Sequence, residues 1–281
     1  MKHLIVGANG QLGRALKAKY PDAIAADVSE LDITDQASVQ AFDWSSVDVI
    51  LNAAAYTNVD GAEADEGRLA AWKVNATAVG YLAAAARQHN LTLVHISTDY
   101  VFDGSQNPHT ETESFSPLSA YGASKAAGDL LVGQLPRHYI LRTSWVIGEG
   151  NNFVRTMLGL GKKGIDPTVV ADQVGRLTFT SELVRAIDHL LTTQATAGTY
   201  NATNDGEPVS WADITRHIFK EADFKNTVTD TTTADYYAGK PGIAPRPLQS
   251  TLELAKITAT DFTPTDWQVD LKEYIAKELV S

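Results

Sequence analysis

The sequence predicts an α/β chain built on a doubly wound parallel sheet, with a smaller C-terminal lobe. Three observations carry this. Short apolar runs alternate with helical stretches up to about residue 145. The first run is followed at once by closely spaced glycines that open a helix. After about Gly148 the rhythm loosens and prolines and threonines collect. Strands alternating with helices imply right-handed crossovers and a sheet covered on both faces. Residues 1–148 are therefore assigned to the sheet domain, joined by elements from about 165–205. Residues 149–281 are assigned mainly to a substrate-binding lobe.

The elements follow in order. Leu4-Ile5-Val6 is a short apolar run bounded by Gly7 and reads as a buried strand, with a helix through Leu12 and Leu16 to about Lys19. Ala23–Asp27 is a second strand ending on an acid, and Val47–Leu51 a third. Glu66–His89 carries Leu69, Ala70, Val74, Ala78, Tyr81, Leu82 and Ala85 at helical spacing. Leu91–Ile96 is the next strand, Ser124–Leu135 the next helix and His138–Arg142 a further strand. Helices are expected over Asn152–Leu160, Ser181–Leu191 and Ser210–Glu221, the last opened by a Ser210–Asp213 variant of the capping box. Thr227–Ala234 is expected to be loop or edge strand. No helix can cross the three prolines in Lys240–Pro247. An amphipathic helix, Trp267–Leu279, closes the chain.

Composition narrows function. The 281 residues are enough to bury about 75% of the unfolded chain's surface without staples. No cysteine is present, which removes disulfides, thiolate catalysis, iron–sulfur clusters and thiolate zinc sites. The net charge is −11 and both halves are acidic, so nucleic acid and anionic membranes are poor partners. Leu4–Val6 is too short for a signal peptide, and no run approaches 18 apolar residues. A cytoplasmic protein is expected. The seven histidines show no H-x-x-x-H or H-E-x-x-H spacing, and no G-x-S-x-G occurs. His95 reads as a core or rim histidine of its strand.

The first glycines form G-x-x-G-x-x-G: Gly7-Ala8-Asn9-Gly10-Gln11-Leu12-Gly13. A strand-to-helix turn of this kind lets the backbone approach a pyrophosphate and offers the anion free N–H groups at the helix N-terminus. Asp27, 20 residues after Gly7, ends the second strand, where a carboxylate can bind the adenine-side ribose hydroxyls. This is the Rossmann-type arrangement, and a tight turn without ligand is its plain alternative. A second match, Gly159-Leu160-Gly161-Lys162-Lys163-Gly164, follows a helix and precedes Pro167, so it reads as a flexible turn.

Tyr121-Gly122-Ala123-Ser124-Lys125 is Y-x-x-x-K, which places both side chains on one helix face. A nearby ammonium is expected to lower the phenol's pKa and fit it for proton transfer at a carbonyl. Alone, the motif is weak, and a surface pair would explain it. It is not alone. Ser97-Thr98-Asp99-Tyr100 ends a strand 23 residues before Tyr121, at the sheet edge where ligands bind.

Glycine loop, strand-end threonine and Y-x-x-x-K, in this order, resemble the extended short-chain dehydrogenase/reductase superfamily. Finer matches resemble its dTDP-4-dehydrorhamnose reductase family: Asn52–Asp60, Val74-Asn75-Ala76, Ser97–Gly104, Ser116-Pro117-Leu118, Arg142–Trp145, Asn151-Asn152-Phe153, Asp172–Gly175 and Arg246-Pro247. The resemblance spans about residues 1–250. It implies reduction of the C4 ketone of dTDP-4-dehydro-β-L-rhamnose with NADPH or NADH.

It further implies Tyr121 as general acid, Lys125 on the nicotinamide ribose and Thr98 polarising the ketone. Gly7, Asn9, Gly10, Gln11, Leu12, Gly13, Asp27, Asp32, Ile33, Ala53, Ala54, Ala55, Tyr121 and Lys125 would meet the cofactor. Val59, Thr98, Tyr100, Trp145 and Arg246 would meet the sugar nucleotide. Ala15 stands where some members carry a metal-bridging glutamate, so no metal is expected. Asp27 favours NADH, and no basic residue lies between Pro21 and Thr34 to hold a 2′-phosphate. The family's tolerance tips the expectation towards both cofactors. A monomer or homodimer is expected, working beside the preceding 3,5-epimerase. Three alternatives stay open: another nucleotide-sugar 4-ketoreductase, an epimerase, or a regulatory subunit similar to the methionine adenosyltransferase beta subunit.

Overall fold

In the computed structural model, which describes residues 1–280, six parallel strands form the central sheet. They are β1 (His3–Val6), β2 (Ile24–Ala26), β3 (Val49–Asn52), β4 (Thr92–Thr98), β5 (His138–Thr143) and the strand Gly198–Asn201. From one edge the order is Gly198–Asn201, β5, β4, β3, β1, β2. Every strand pair within this sheet is parallel. The helices are α1 (Gln11–Lys19), α2 (Gln36–Ala41), α3 (Asp65–Trp72), α4 (Ala78–Gln88) and α5 (Ala120–Val132) in the first half. The remainder are α6 (Phe153–Lys162), α7 (Thr180–Thr192), α8 (Trp211–Glu221), α9 (Thr233–Tyr237), α10 (Ala255–Thr258) and α11 (Trp267–Val280).

Alternation along each strand divides the core. Leu4 and Val6 join Ile50, Leu82, Leu93 and Ile140 on one face. Ile5 joins Leu12, Leu51, Val94, Leu141 and the α7 residues Leu183, Ile187 and Leu190 on the other. Burial on both faces explains why these strands read as continuous apolar runs. A third cluster packs α6, α8 and α11 together through Val154, Leu158, Ile214, Ile218, Trp267, Leu271 and Ile275.

The structure departs from the sequence expectations at three places. Predicted from Ser124, α5 begins at Ala120, because Ser119 caps the Gly122 N–H and Glu63 Oε1 accepts from the Ala120 N–H at 2.8 Å. Tyr121 thereby sits in the first turn. The single helix expected over Glu66–His89 contains a π turn, Lys73–Thr77. Asn75 in that turn accepts from the Tyr56 N–H at 2.9 Å and donates to Ser124 Oγ at 3.0 Å, fixing α5 against it. Gly159–Gly164 is no free turn. Gly159 and Gly161 lie inside α6, and a Cβ on Gly161 would stand 2.2 Å from the Phe224 ring. As expected, the threonine-rich Thr227–Ala234 holds a short edge strand, Thr229–Thr231, paired with Thr168–Val170; α9 then opens with Thr232 as its cap.

Candidate active site

The chain reverses direction across the sheet at β1, which has β2 on one side and β3 on the other. In sheets of this kind the ligand crevice lies at that point, outside the carboxyl ends of the strands. The glycine loop fills one wall. Gly7 adopts φ +73°, and a Cβ on it would lie 2.7 Å from the Ala54 backbone. A Cβ on Gly13 would lie 2.2 Å from the Gly7 carbonyl oxygen. Only a chain bare of side chains at both points can bring β1, α1 and the end of β3 this close. Gly10 precedes α1 with no side-chain cap and no acid in the first turn, so the N–H groups of Gln11, Leu12 and Gly13 are left for an anion.

The residues named around this loop divide into two groups. Asp27 accepts from the Asn9 N–H at 3.1 Å and the Val28 N–H at 2.9 Å, which places its carboxylate at the rim of the loop. Ala53 donates to the Val6 carbonyl at 3.0 Å, and Ala54 and Ala55 continue along the crevice. Gln11 turns its amide toward the Asn151 carbonyl and leaves a buried Oε1 without a partner. Asp32, in contrast, spends its carboxylate on the Thr34 N–H and hydroxyl, at 2.9 and 2.7 Å. Those bonds hold it below its ordinary pKa. Ile33 and Leu12 are buried in the two cores. An uncapped helix end, a cradle that any Cβ would fill and a carboxylate at its rim fit a dinucleotide.

At the end of β4 the catalytic candidates converge. Thr98 Oγ1 accepts from the Tyr100 N–H at 3.2 Å and donates to Asp99 Oδ1 at 3.0 Å. The Tyr121 side chain is half-buried, with its phenol beside the Thr98 hydroxyl. Burial raises its pKa above the ordinary value, and the charge of Asp99 raises it further. This reverses the sequence expectation of a lowered phenol. Lys125 lies one turn along α5, only 2% exposed, and donates from Nζ to the Ile96 carbonyl at 2.6 Å. Burial brings its pKa down to about 8, against an opposing pull from Asp129.

Behind Lys125 lies a buried polar cluster that motif reading did not assign. His95, fully buried in β4, stands 3.4 Å from Lys125 Nζ. Its Nδ1 accepts from Asn52 Nδ2 at 3.1 Å, and Asn52 Oδ1 accepts from the Ala54 N–H. Burial, and then the Lys125 charge, press its pKa well below the ordinary range. Asp129 Oδ2 accepts from Arg142 Nε at 3.1 Å, and the Arg142 guanidinium lies over the Phe102 and Phe115 rings. His95 is thus a core histidine, but one that touches the active-site lysine. Asn52 and Arg142 fell within quoted stretches, and the only hint of their burial was a polar residue inside or at the end of an apolar strand.

The second wall is aromatic. A cavity of about 300 Å³ is lined by Tyr100, Trp145, Phe153, Met157, Gln173, Trp211, Tyr236, Tyr237 and Arg246, among others. Trp145 takes a left-handed backbone conformation, φ +48°, which costs about 1–3 kcal/mol and is held by its stack on Trp211 at 3.9 Å. Arg246 donates to Asp60 Oδ2 at 2.9 Å and lies over the Tyr237 ring at 4.8 Å. The Tyr100 and Tyr121 rings meet edge to face at 5.7 Å, so the cavity adjoins the reacting hydroxyls. Tyr100, Trp145 and Arg246 are brought together here. Val59 is not among the lining residues, although its neighbour Asp60 anchors Arg246. Sequence reasoning missed Trp211, Tyr236 and Tyr237, which lie on α8 and α9, far from any motif.

Among the described residues, no group of three or more His, Asp or Glu side chains is placed to hold a metal ion. No helix of the described residues is long and apolar enough to cross a membrane.

Comparison with known proteins gives a consistent result. The model of the RmlD substrate binding domain family matches residues 1–280. The chain is 44% identical to dTDP-4-dehydrorhamnose reductase of Aggregatibacter actinomycetemcomitans, over 96% of each chain. It is similar to the crystal structure of a dTDP-4-dehydrorhamnose reductase, an RfbD ortholog, from Clostridium acetobutylicum: 40% identity, TM-score 0.91, 99% of this chain and 100% of that one. A dTDP-4-dehydrorhamnose reductase of Bacillus anthracis, solved in complex with NADP, superposes with a TM-score of 0.89 at 35% identity, covering 99% of this chain and 100% of that one. Motif order, crevice, tyrosine–lysine pair and these likenesses converge: the chain belongs to the RmlD substrate binding domain family.

Proposed function

We propose that this protein reduces the C4 ketone of dTDP-4-dehydro-β-L-rhamnose to dTDP-L-rhamnose with NADPH or NADH. The observation that carries the reading is the position of Tyr121. Its hydroxyl lies beside that of Thr98 at the end of β4, and its ring meets that of Tyr100, which lines the aromatic cavity. The family's relatives named for this reaction support it.

When bound, the reduced nicotinamide supplies a hydride to the carbonyl carbon. Every other task falls to the chain. The N–H groups of residues 11–13 and the bare backbone at Gly7 hold the pyrophosphate. Asp27 takes the adenine-side ribose hydroxyls. Lys125, held from behind by the Ile96 carbonyl, reaches the nicotinamide ribose. Thr98 donates to the ketone oxygen, and Tyr121 gives its proton to the alkoxide that develops there. A phenol kept above its ordinary pKa is fully protonated at neutral pH, the state that reduction requires. Trp145, Trp211 and Tyr237 offer flat faces to the nucleotide and sugar, and Arg246 offers its guanidinium to the diphosphate. The residue sets are accordingly a cofactor wall on the sheet and a sugar-nucleotide wall on the C-terminal lobe.

The test is direct. Epimerised dTDP-4-keto-6-deoxysugar is supplied with NADPH and, separately, NADH, and absorbance at 340 nm (a property of the reduced nicotinamide) is followed. Oxidation of either cofactor is expected; none with both would remove the reading.

A further inference from the structure

Asp99 is a carboxylate in hydrogen-bond contact with the Thr98 hydroxyl, its charge felt by Tyr121, and the proposed mechanism gives it no task. It is 2% exposed, and its Oδ2 has no hydrogen-bond partner. Its Oδ1 accepts from Thr98 Oγ1 at 3.0 Å. Asp99 is faced by Tyr100 on its own turn, by Tyr121 on α5 and by His109 on the loop before α5. Ser250 is its polar neighbour from the C-terminal half. His109 is itself engaged, with Glu113 Oε2 at 2.8 Å and the Gln249 carbonyl at 3.1 Å from its two ring nitrogens.

The inventory of the Thr98 hydroxyl decides what Asp99 does. A hydroxyl has one hydrogen to give and two lone pairs to offer. One lone pair is taken by the Tyr100 N–H. When Asp99 is ionised it can only accept, so it takes the one Thr98 hydrogen. The remaining lone pair then draws the Tyr121 hydrogen, and both hydrogens point away from a ketone. When Asp99 is neutral, its own O–H donates to the second lone pair. The Thr98 hydrogen is then free for the ketone oxygen, and so is that of Tyr121.

We propose that Asp99 is a positioning residue for the reduction: as the neutral acid it releases the Thr98 hydrogen to the substrate carbonyl, and as the carboxylate it withholds it. No covalent step is added, since each proton stays on its own oxygen. The physical setting shifts the balance toward the neutral acid. Burial raises the Asp99 pKa to about 6, against opposing contributions from Ser250, Thr98 and His109. A negatively charged substrate seated nearby adds to the rise.

This inference rests on the reading of Thr98 as the group that polarises the ketone. The experiment is the pH profile of kcat/KM for the dTDP-4-keto sugar at saturating reductant, for the wild type, Asp99→Asn and Thr98→Val. The carboxamide of Asn can donate to Thr98 at every pH and mimics the neutral acid. For the wild type, kcat/KM is expected to fall about tenfold between pH 6 and pH 7.5, because it reports ionisation of the free enzyme. For D99N the change over the same range is expected to be less than about twofold. T98V is expected to be slower throughout and to lack the fall as well, since Asp99 then has no hydroxyl to act through. A flat wild-type profile, or a fall that persists in D99N or in T98V, overturns the inference while leaving the reductase reading intact. No turnover by the wild type at any pH overturns both.

Discussion

The two walls of the crevice are built on opposite plans. The proposed cofactor wall is backbone: seven contiguous residues, Gly7–Gly13, whose worth lies in absent side chains and uncapped N–H groups. The proposed sugar-nucleotide wall is side chain. Tyr100, Trp145, Trp211, Tyr237 and Arg246 come from five separate segments and meet only in the folded chain. The backbone wall tolerates no added atom, whereas the side-chain wall can exchange one ring for another at modest cost. A single scaffold can thus hold one kind of cofactor and vary its substrate.

The largest effect is expected where the walls meet. Tyr121→Phe removes the proton that the proposed mechanism transfers to the alkoxide, and kcat should fall about 10³-fold, within the range for a lost general acid. Cofactor affinity, measured by fluorescence titration, should change little. A variant retaining a tenth of the activity would show that another group supplies the proton.

Next comes the backbone wall. Gly13→Ala sets a Cβ 2.2 Å from the Gly7 carbonyl, where rigid backbone cannot yield. A cost of about 2–4 kcal/mol is expected, with cofactor binding weakened at least about tenfold. Thermal melting and cofactor titration check the two halves. Unchanged melting would mean the loop can open away from α1, and the contrast between the walls would fail.

On the side-chain wall, Arg246→Ala should raise KM for the sugar nucleotide about 10- to 50-fold, with kcat altered less than about threefold. The same variant frees Asp60, whose carboxyl Arg246 helps hold below the ordinary value. Equal losses in kcat and kcat/KM would place Arg246 in the chemistry rather than in binding.

The smallest effect is a matter of pH. Lys125 carries its proton below about pH 8 and loses it as pH rises through that value, well before an exposed lysine would. Its ammonium is the form that attracts the alkoxide and the ribose. In D99N, where the Asp99 ionisation is removed, kcat/KM should therefore decline about tenfold per unit above pH 8. This limb lies on the alkaline side of the fall assigned to Asp99. A profile level to pH 10 would show that the neutral amine suffices.

The legible part of the molecule was the part written in neighbouring residues. Gly7–Gly13 and the i, i+4 pair Tyr121 and Lys125 are local spacings, and strands β1 to β5 are apolar runs. Each could be read in place because the backbone geometry that gives it meaning spans only a few residues. The π turn at Lys73–Thr77 was not legible, because it is fixed by Asn75 reaching Tyr56 and Ser124 from outside the helix. Nor was the early start of α5, which depends on Glu63, 57 residues away in sequence.

The sequence by itself determined the sheet, the glycine cradle, the tyrosine–lysine pair and the acidic character that leaves small anions to local devices. The tertiary structure alone decided the cavity of stacked tryptophans, the Asp60–Arg246 pair and the cluster of His95, Asp129 and Arg142 behind Lys125. It also decided that burial would raise Tyr121 rather than lower it, and would leave Asp99 beside Thr98 with one oxygen unpartnered. The physical reason is common to all of these. Desolvation and side-chain convergence depend on which distant segments exclude water together, and spacing along the chain carries no record of that.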